Sequence, residues 1–139
     1  MLTEIISGLW IGNLNDSYND IFYKDNLISI AINCTMDQGF LDLPKLQKVR
    51  IPLSDKLEPY RDIQLLKNNM DKILNFIHEN IEEENIFIFC YNGLTVSPLI
   101  CALYMIKKGG HCWWLGTINQ PRPERPIYPT SGEVHHWNR

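Results

Sequence analysis

The chain has 139 residues, of which 45% are hydrophobic and 21% charged, a composition that suits one globular domain over residues 1–139 and excludes wholesale disorder. Thirteen lysines and arginines against 16 acidic residues leave a formal net charge of −3 without a long basic run, which argues against a nucleic-acid-binding or membrane-surface protein. No apolar stretch approaches the roughly 18 residues of a membrane span, and the N-terminus lacks the basic segment of a signal peptide. We therefore expect a cytoplasmic protein, with a nuclear location left open.

The cysteines and histidines predict neither disulfides nor a metal site. Without a secretory signal, free thiols are expected at all four cysteines, which are Cys34, Cys90, Cys101 and Cys112. The chain has no Cys-x-x-Cys pair, and the pairs His111–Cys112 and His135–His136 do not match the ligand spacing of zinc sites. We predict no metal and no cofactor.

The first half of the chain predicts strands. Residues 5–12 alternate apolar residues with glycines, which indicates two short strands joined by a turn. Residues 27–34 place isoleucines at every second position, a pattern typical of a buried strand, and residues 49–53 form a shorter strand. Asp62 is predicted to cap a following helix of about five turns, because apolar residues recur from Ile63 to Ile81 at three- and four-residue spacing.

The second half predicts a strand, a loop and another helix. Residues 86–89 are wholly apolar, as a central parallel strand should be. Pro98 is predicted to open the next helix, which Gly109–Gly110 ends, and its buried side is assigned to Leu99, Ile100, Leu103 and Ile106. Strands that alternate with helices predict an α/β fold, with a central, mostly parallel twisted sheet flanked by helices and a crossover helix before the central strand.

The loop between the predicted central strand and the last helix has the features of an anion site. Its backbone N–H groups and the dipole of the helix that follows would both favour a negative charge. Gly93 allows the tight curve that this arrangement needs. Cys90, the first loop residue, would have its thiolate stabilised by the same donors. The alternative is that Cys90 is a small buried hydrophobic residue.

Segments along the whole chain resemble the catalytic domain of the dual-specificity branch of the protein tyrosine phosphatases. Residues 5–12 are similar to that family's opening Leu-aromatic-x-Gly segment, and residues 28–35 (ISIAINCT) to its strand ending in Asn-x-Thr. Residues 51–55 (IPLSD) resemble the strand and loop that carry its general-acid aspartate, and residues 125–129 (RPIYP) resemble its C-terminal Arg-Pro-x-x-Pro segment. The resemblance implies the fold of that family.

The family signature is His-Cys, five residues, Arg, then Ser or Thr, and it is only partly present. Cys90, Gly93 and Ser97 match it, whereas Phe89 stands at the histidine position and Val96 at the arginine position. No shift of register supplies an arginine, because residues 91–118 contain none. The resemblance assigns the remaining phosphate-binding loop residues as Tyr91, Asn92, Leu94 and Thr95.

The resemblance also implies roles for the site residues. In the family, the cysteine thiolate attacks phosphorus, an aspartate protonates the leaving oxygen, and the arginine holds two phosphate oxygens in its planar fork. Asp55 is the implied general acid, with a turn residue as the alternative, and Ser97 either stabilises the thiolate or caps the following helix. Val96 has no donor, which by analogy with arginine fingers is expected to cost about 10³–10⁵ in rate. Beside Phe89 and without a cation, Cys90 is expected to be less ionised than in an active relative.

Three functions follow from this incomplete signature. The first is a pseudophosphatase, which binds a protein partner or a phosphoprotein without turning it over. The second is a weakly active protein tyrosine/serine/threonine phosphatase that uses Cys90 as nucleophile and Asp55 as general acid. The third is a thiol redox role for Cys90. The identity of the partner and the oligomeric state stay open.

Overall fold

The computed structural model describes residues 2–108 and 134–136. Its elements are, in chain order, β1 (Thr3–Ile6), β2 (Leu9–Gly12), a 3₁₀ turn (Asp16–Tyr18), α1 (Asp20–Asp25), β3 (Ile28–Asn33), β4 (Gln47–Arg50), α2 (Arg61–Asn80), β5 (Asn85–Phe89), α3 (Val96–Lys108) and β6 (Val134–His136). The resembling segment 125–129, the pair His111–Cys112 and the glycines 109–110 lie outside the described residues. Within the described residues, no helix combines the length and apolar character that a membrane span requires.

The strands form one six-stranded sheet in the order β1-β2-β5-β3-β4-β6. Strand β5 pairs in parallel with both β2 and β3, and β3 pairs in parallel with β4, while β1 is antiparallel to β2. The predicted α/β fold and the central parallel position of β5 are therefore confirmed. The predicted strand 49–53 is shifted: the ladder ends at Arg50, although Ile51 and Leu53 beyond it stay fully buried. The spacing of apolar residues indicates which residues are buried, and here burial continues beyond Arg50, the last residue of β4.

The two faces of β5 are covered by different cores. Ile86, Ile88 and Cys90 belong to the larger core, which they share with buried side chains of α2 and α3. Phe87 and Phe89 belong to a smaller aromatic core with Phe22 and Tyr23 of α1, which covers the opposite face of the sheet. Successive side chains of a strand point to opposite faces, so neighbours in sequence enter different cores.

Helix α2 spans the predicted segment, but its first turn differs from the prediction. The helix begins at Arg61, and Asp62 lies inside the first turn, fully buried, so its assignment as N-cap is wrong. The Asp62 carboxylate instead accepts a hydrogen bond from the Glu58 backbone N–H at 2.7 Å. Asp62 therefore fixes the loop that precedes the helix, because its carboxylate binds the backbone of Glu58 in that loop.

Helix α3 also begins earlier than predicted, at Val96, and Pro98 is its third residue. Proline costs no hydrogen bond there, because the N–H groups of the first turn have no intrahelical acceptor. The buried residues of the helix are Val96, Ser97, Ile100, Cys101 and Tyr104. Leu99 and Ile106 are 41% and 71% exposed, so that part of the predicted face is wrong. The helix is apolar on almost every side, and its periodicity therefore does not select the face that packs.

Candidate functional site

The loop from Cys90 to Thr95 leads from the carboxyl end of β5 into α3 and curls as the sequence predicts. It is tied to the end of β2, because Cys90 N–H donates to Gly12 O at 3.4 Å and Leu14 N–H donates to Tyr91 O at 3.3 Å. Gly93 has φ +71°, and a Cβ there would lie 3.0 Å from Asn13 N and from the carbonyl carbon of Gly12. Only glycine fits this position without strain, so Gly93 sets the curvature of the loop.

The curled loop directs its hydrogen-bond donors at the Cys90 sulfur. Burial of the Cys90 thiol raises its pKa, but hydrogen bonds from the Ser97 hydroxyl and from the backbone N–H groups of Ser97, Val96 and Gly93 outweigh burial and bring the pKa below the ordinary cysteine value. The Ser97 Oγ lies 3.3 Å from the Cys90 Sγ. The loop therefore favours the thiolate through hydrogen bonds of its own residues.

Two expectations about the signature residues change with the structure. Ser97 is the second residue of α3 and fully buried beside the thiol, so it acts on Cys90 and is not the helix N-cap. Phe89 packs in the aromatic core on the face opposite Cys90, with its ring centroid 5.4 Å from that of Phe87. The premise that its ring lies beside the thiol is therefore wrong, because alternation along β5 separates the two side chains.

A cavity of about 250 Å³ opens above the loop. Cys90, Thr95 and Val96 of the loop line it, and so do Asp55 and Lys56 of the chain that follows β4. Asp55 is exposed at a bend of the chain, and its carboxylate makes no hydrogen bond within the described part of the chain, so its assignment as general acid stays a prediction beside the turn-residue alternative. The structure thus brings Asp55 to the cavity that holds Cys90, as the resemblance implies.

The loop that carries Asp55 is anchored at both ends. Leu53 is fully buried before it, and Leu57 packs against the larger core after it. The buried Asp62 carboxylate binds the Ser54 hydroxyl and the Glu58 N–H, and although burial raises the pKa of Asp62, these bonds and Arg61 lower it below the usual aspartate value. Asp55 and Lys56 are thereby held at the cavity mouth by a charged buried group.

The rest of the loop is satisfied internally or faces solvent. Asn92 Oδ1 accepts the Leu94 N–H at 2.9 Å, and the Asn92 amide donates to Thr95 Oγ1 at 3.2 Å. The Leu94 side chain is 68% exposed. The Tyr91 hydroxyl donates to the Asp37 carboxylate, which joins the loop to the chain that follows β3. These contacts keep the loop curled around the cavity.

The sequence analysis did not assign four of the residues that line the cavity, which are Cys34, Ser54, Lys56 and Leu57. Lys56 follows Asp55 directly, so its charge and its position next to the implied acid were the available signal. Cys34 is buried directly after β3. Burial is the main cause that raises the pKa of Cys34 well above the ordinary value, and the neighbouring Cys90 raises it further. Cys34, Cys90 and Cys101 are free thiols. The redox role of Cys90 stays a prediction.

No protein-family model matches the chain. It is 24% identical over 127 residues to dual specificity protein phosphatase 14 of Mus musculus and 23% identical over 107 residues to dual specificity protein phosphatase 18 of the same species. These alignments cover 91% and 76% of this chain, and the chain spans only 61% and 54% of the two relatives. The crystal structure of human DUSP28 superposes with a TM-score of 0.69 at 16% identity, over 92% of this chain and 85% of that one.

Sequence and fold together support the dual-specificity protein phosphatase family. The two relatives align with 91% and 76% of the chain, and the solved structure has the same fold. The dual-specificity phosphatase fold thus explains why Cys90 and Asp55, distant in sequence, meet at one cavity. Within that fold, this chain has Phe89 at the histidine position and Val96 at the arginine position of the family signature.

We expect Cys90 to be alkylated by iodoacetamide at lower pH than the other described thiols. Its pKa is lowered by the loop donors, whereas burial raises the pKa of Cys101 to about 12 and that of Cys34 well above the ordinary value. Ser97→Ala removes a donor and should shift the pH profile of Cys90 alkylation upward. Peptide mapping by mass spectrometry measures each cysteine separately.

The matched control is Ser29→Ala, because Ser29 lies at the amino end of β3, at the opposite end of the sheet from the loop. This variant should leave the Cys90 profile in place. An unchanged profile in a folded Ser97→Ala variant would contradict the role given to the Ser97 hydroxyl.

Proposed function

We propose that the protein is a pseudophosphatase that binds a phosphorylated protein partner at the Cys90 loop and does not turn it over efficiently. The observation that carries the proposal is the combination of a curled loop, which keeps its inward donors, with a buried aliphatic side chain at Val96. The N–H groups that favour the Cys90 thiolate are suited to hold phosphate oxygens. A cytoplasmic location and a phosphoprotein as partner belong to this proposal.

The proposal also rests on what phosphoryl transfer demands. As the Cys90 sulfur bonds to phosphorus and the bond to the leaving oxygen breaks, charge grows on the equatorial phosphate oxygens. A guanidinium stabilises this charge with two parallel bonds, and Val96 offers none. The missing stabilisation amounts to about 10³–10⁵ in rate. Binding in the ground state depends less on that contact, because backbone donors remain.

A weakly active phosphatase is the second candidate, and two observations favour it. The pKa of Cys90 is lowered, so the nucleophile is partly available, and Asp55 lines the same cavity and could give its proton to the leaving oxygen. In this mechanism water later cleaves the phosphocysteine, which releases phosphate and restores the thiolate. The chemistry needs no group beyond those in the cavity, but it proceeds without the guanidinium.

Two measurements on the purified protein test the proposal. Turnover of p-nitrophenyl phosphate is compared between the wild type and Cys90→Ser, and binding of a phosphotyrosine peptide is compared with that of its unphosphorylated form by fluorescence anisotropy. We expect no turnover above the Cys90→Ser background and tighter binding of the phosphopeptide. Turnover that requires Cys90 would favour the second candidate, and equal binding of the two peptides would overturn phosphate recognition.

A further inference from the structure

The cavity above Cys90 has an unusual charge balance for an anion site. Within residues 2–108 and 134–136, the lining residues with charged side chains are Asp55 and Lys56. The Cys90 thiolate and the Asp55 carboxylate both repel a phosphate monoester, which itself carries about −1.5 to −2 at pH 7. The Cys90 loop contributes backbone dipoles and the aliphatic Val96, so among the described lining residues the full positive charge belongs to Lys56.

We propose that Lys56 is the cationic contact of the phosphate group in this cavity, in place of the guanidinium that the loop lacks. This inference rests on the proposed function, because it takes the Cys90 loop as the phosphate site. The phosphate lies between two partners: the N–H groups of the loop beneath it and the Lys56 ammonium at the cavity mouth. Lys56 is thus a binding and specificity residue that the family signature does not contain.

The surroundings of Lys56 suit this role. Its side chain is exposed and makes no hydrogen bond or ion pair with any described residue, including the adjacent Asp55. It sits in a loop without helix or strand, between the anchors at Leu53 and Leu57, so the ammonium can follow a ligand while the loop ends stay fixed. A lysine offers a compact charge with three donors on a flexible stem.

A lysine at the mouth also accounts for binding without fast turnover. A point charge attracts the phosphate in the ground state and in the transition state to a similar degree, whereas a planar fork fixed in the loop follows the equatorial oxygens. Interactions that are equal in both states improve binding and leave the rate of the chemical step unchanged. Lys56 in place of a loop arginine therefore converts a catalytic contact into a binding contact.

The test compares two alkylating reagents at Cys90. Iodoacetate is an anion and iodoacetamide is neutral. In both reactions the same thiolate sulfur bonds to the CH₂ carbon and iodide leaves to solvent, so the ratio of their rates reports attraction of an anion into the cavity independently of thiol ionisation. Lys56 is exposed, so Lys56→Ala should lower the iodoacetate-to-iodoacetamide ratio by about three- to tenfold, the range expected for one charge about 3–6 Å away in a dielectric close to that of water. Lys56→Arg should keep most of the wild-type ratio.

The matched control is Lys72→Ala, an exposed lysine of α2 that does not line the cavity. It should leave the ratio unchanged, whereas added salt should lower the wild-type ratio toward that of Lys56→Ala. An unchanged ratio in Lys56→Ala, or an equal change in Lys72→Ala, would overturn the inference.

Phosphotyrosine peptide binding separates this inference from the proposed function. Lys56→Ala should weaken peptide binding by about the same three- to tenfold factor. If the wild type binds the phosphopeptide and Lys56→Ala binds it equally well, Lys56 is not the contact, and the proposed function stands. If the reagent ratio depends on Lys56 but the wild type does not distinguish the phosphopeptide, the anion contact stands and the proposed function is wrong.

Discussion

Val96→Arg is expected to raise kcat/KM for p-nitrophenyl phosphate by at least about 10²–10³, which is the cost of removing one transition-state donor from other active sites. Val96 lines the cavity and is the first residue of α3, so an arginine there can extend into the open volume of about 250 Å³ above the loop. Cys90 and Asp55 already line this cavity. Steady-state kinetics of the variant and the wild type measure the gain.

Two controls establish the origin of that activity. Cys90→Ser in the Val96→Arg background should abolish it, because the nucleophile is removed. Leu94→Arg adds the same charge to the same loop at an exposed side chain and should give no comparable gain. A folded Val96→Arg variant that stays inert would mean that the Cys90 loop or the Asp55 loop departs from catalytic geometry.

Adding Phe89→His to Val96→Arg restores the histidine of the signature, and we expect it to raise the activity less than the signature alone predicts. Phe89 is fully buried in the aromatic core, so Phe89→His puts an imidazole among rings and is expected to lower the free energy of unfolding by about 1–3 kcal/mol. The double variant Val96→Arg with Phe89→His should be active but less stable. Thermal unfolding of the two variants in parallel measures this difference.

Gly93→Ala is expected to lower the free energy of unfolding by about 1–3 kcal/mol from backbone strain alone, because alanine would have to adopt φ +71°. The added Cβ also meets the backbone of Gly12 and Asn13 at 3.0 Å, which cannot move without displacing the end of β2. As the loop shifts, its donors leave the Cys90 sulfur, so the pKa of Cys90 should rise and phosphopeptide binding should be lost. Urea unfolding and the pH profile of Cys90 alkylation measure the two effects.

Gly39→Ala is the matched control for this substitution. A Cβ at Gly39 meets no atom within 4 Å. The change should therefore be close to neutral or stabilise slightly, by up to about 1 kcal/mol, because alanine restricts the unfolded chain. If Gly93→Ala and Gly39→Ala were equally stable and the reactivity of Cys90 were unchanged, Gly93 would not be the residue that shapes the loop.

The sequence by itself determines the order of elements and the chemistry that is missing from the site. The wholly apolar segment before Cys90, the glycine at 93 and the following helix predict a strand, a tight loop and a helix start, and all three lie there. These features are local, because strand and helix preference and the need for a left-handed residue depend on neighbours in the chain. The absence of an arginine in the loop is likewise a property of the sequence.

The direction of each buried side chain is decided by the tertiary structure. A strand covered on both faces is apolar throughout, so its sequence does not tell which residues share a core, and Phe89 is found on the face opposite Cys90. Helix α3 is apolar on almost every side, and packing against the sheet selects Ile100, Cys101 and Tyr104. Ser97 turns toward the thiol because the helix begins before it.

The composition of the cavity is decided in the same way. The family resemblance assigns Asp55, and the structure places it with Lys56 in the cavity that Cys90 also lines. Strand β4 leads to the Asp55 loop and β5 leads to the Cys90 loop, and the two strands lie on either side of β3. Spacing along the chain carries no information about this meeting, since it depends on strand order and on the anchoring of the loop by Asp62. Local pattern therefore determines which elements form, and the packing of those elements decides which charged side chains line the cavity.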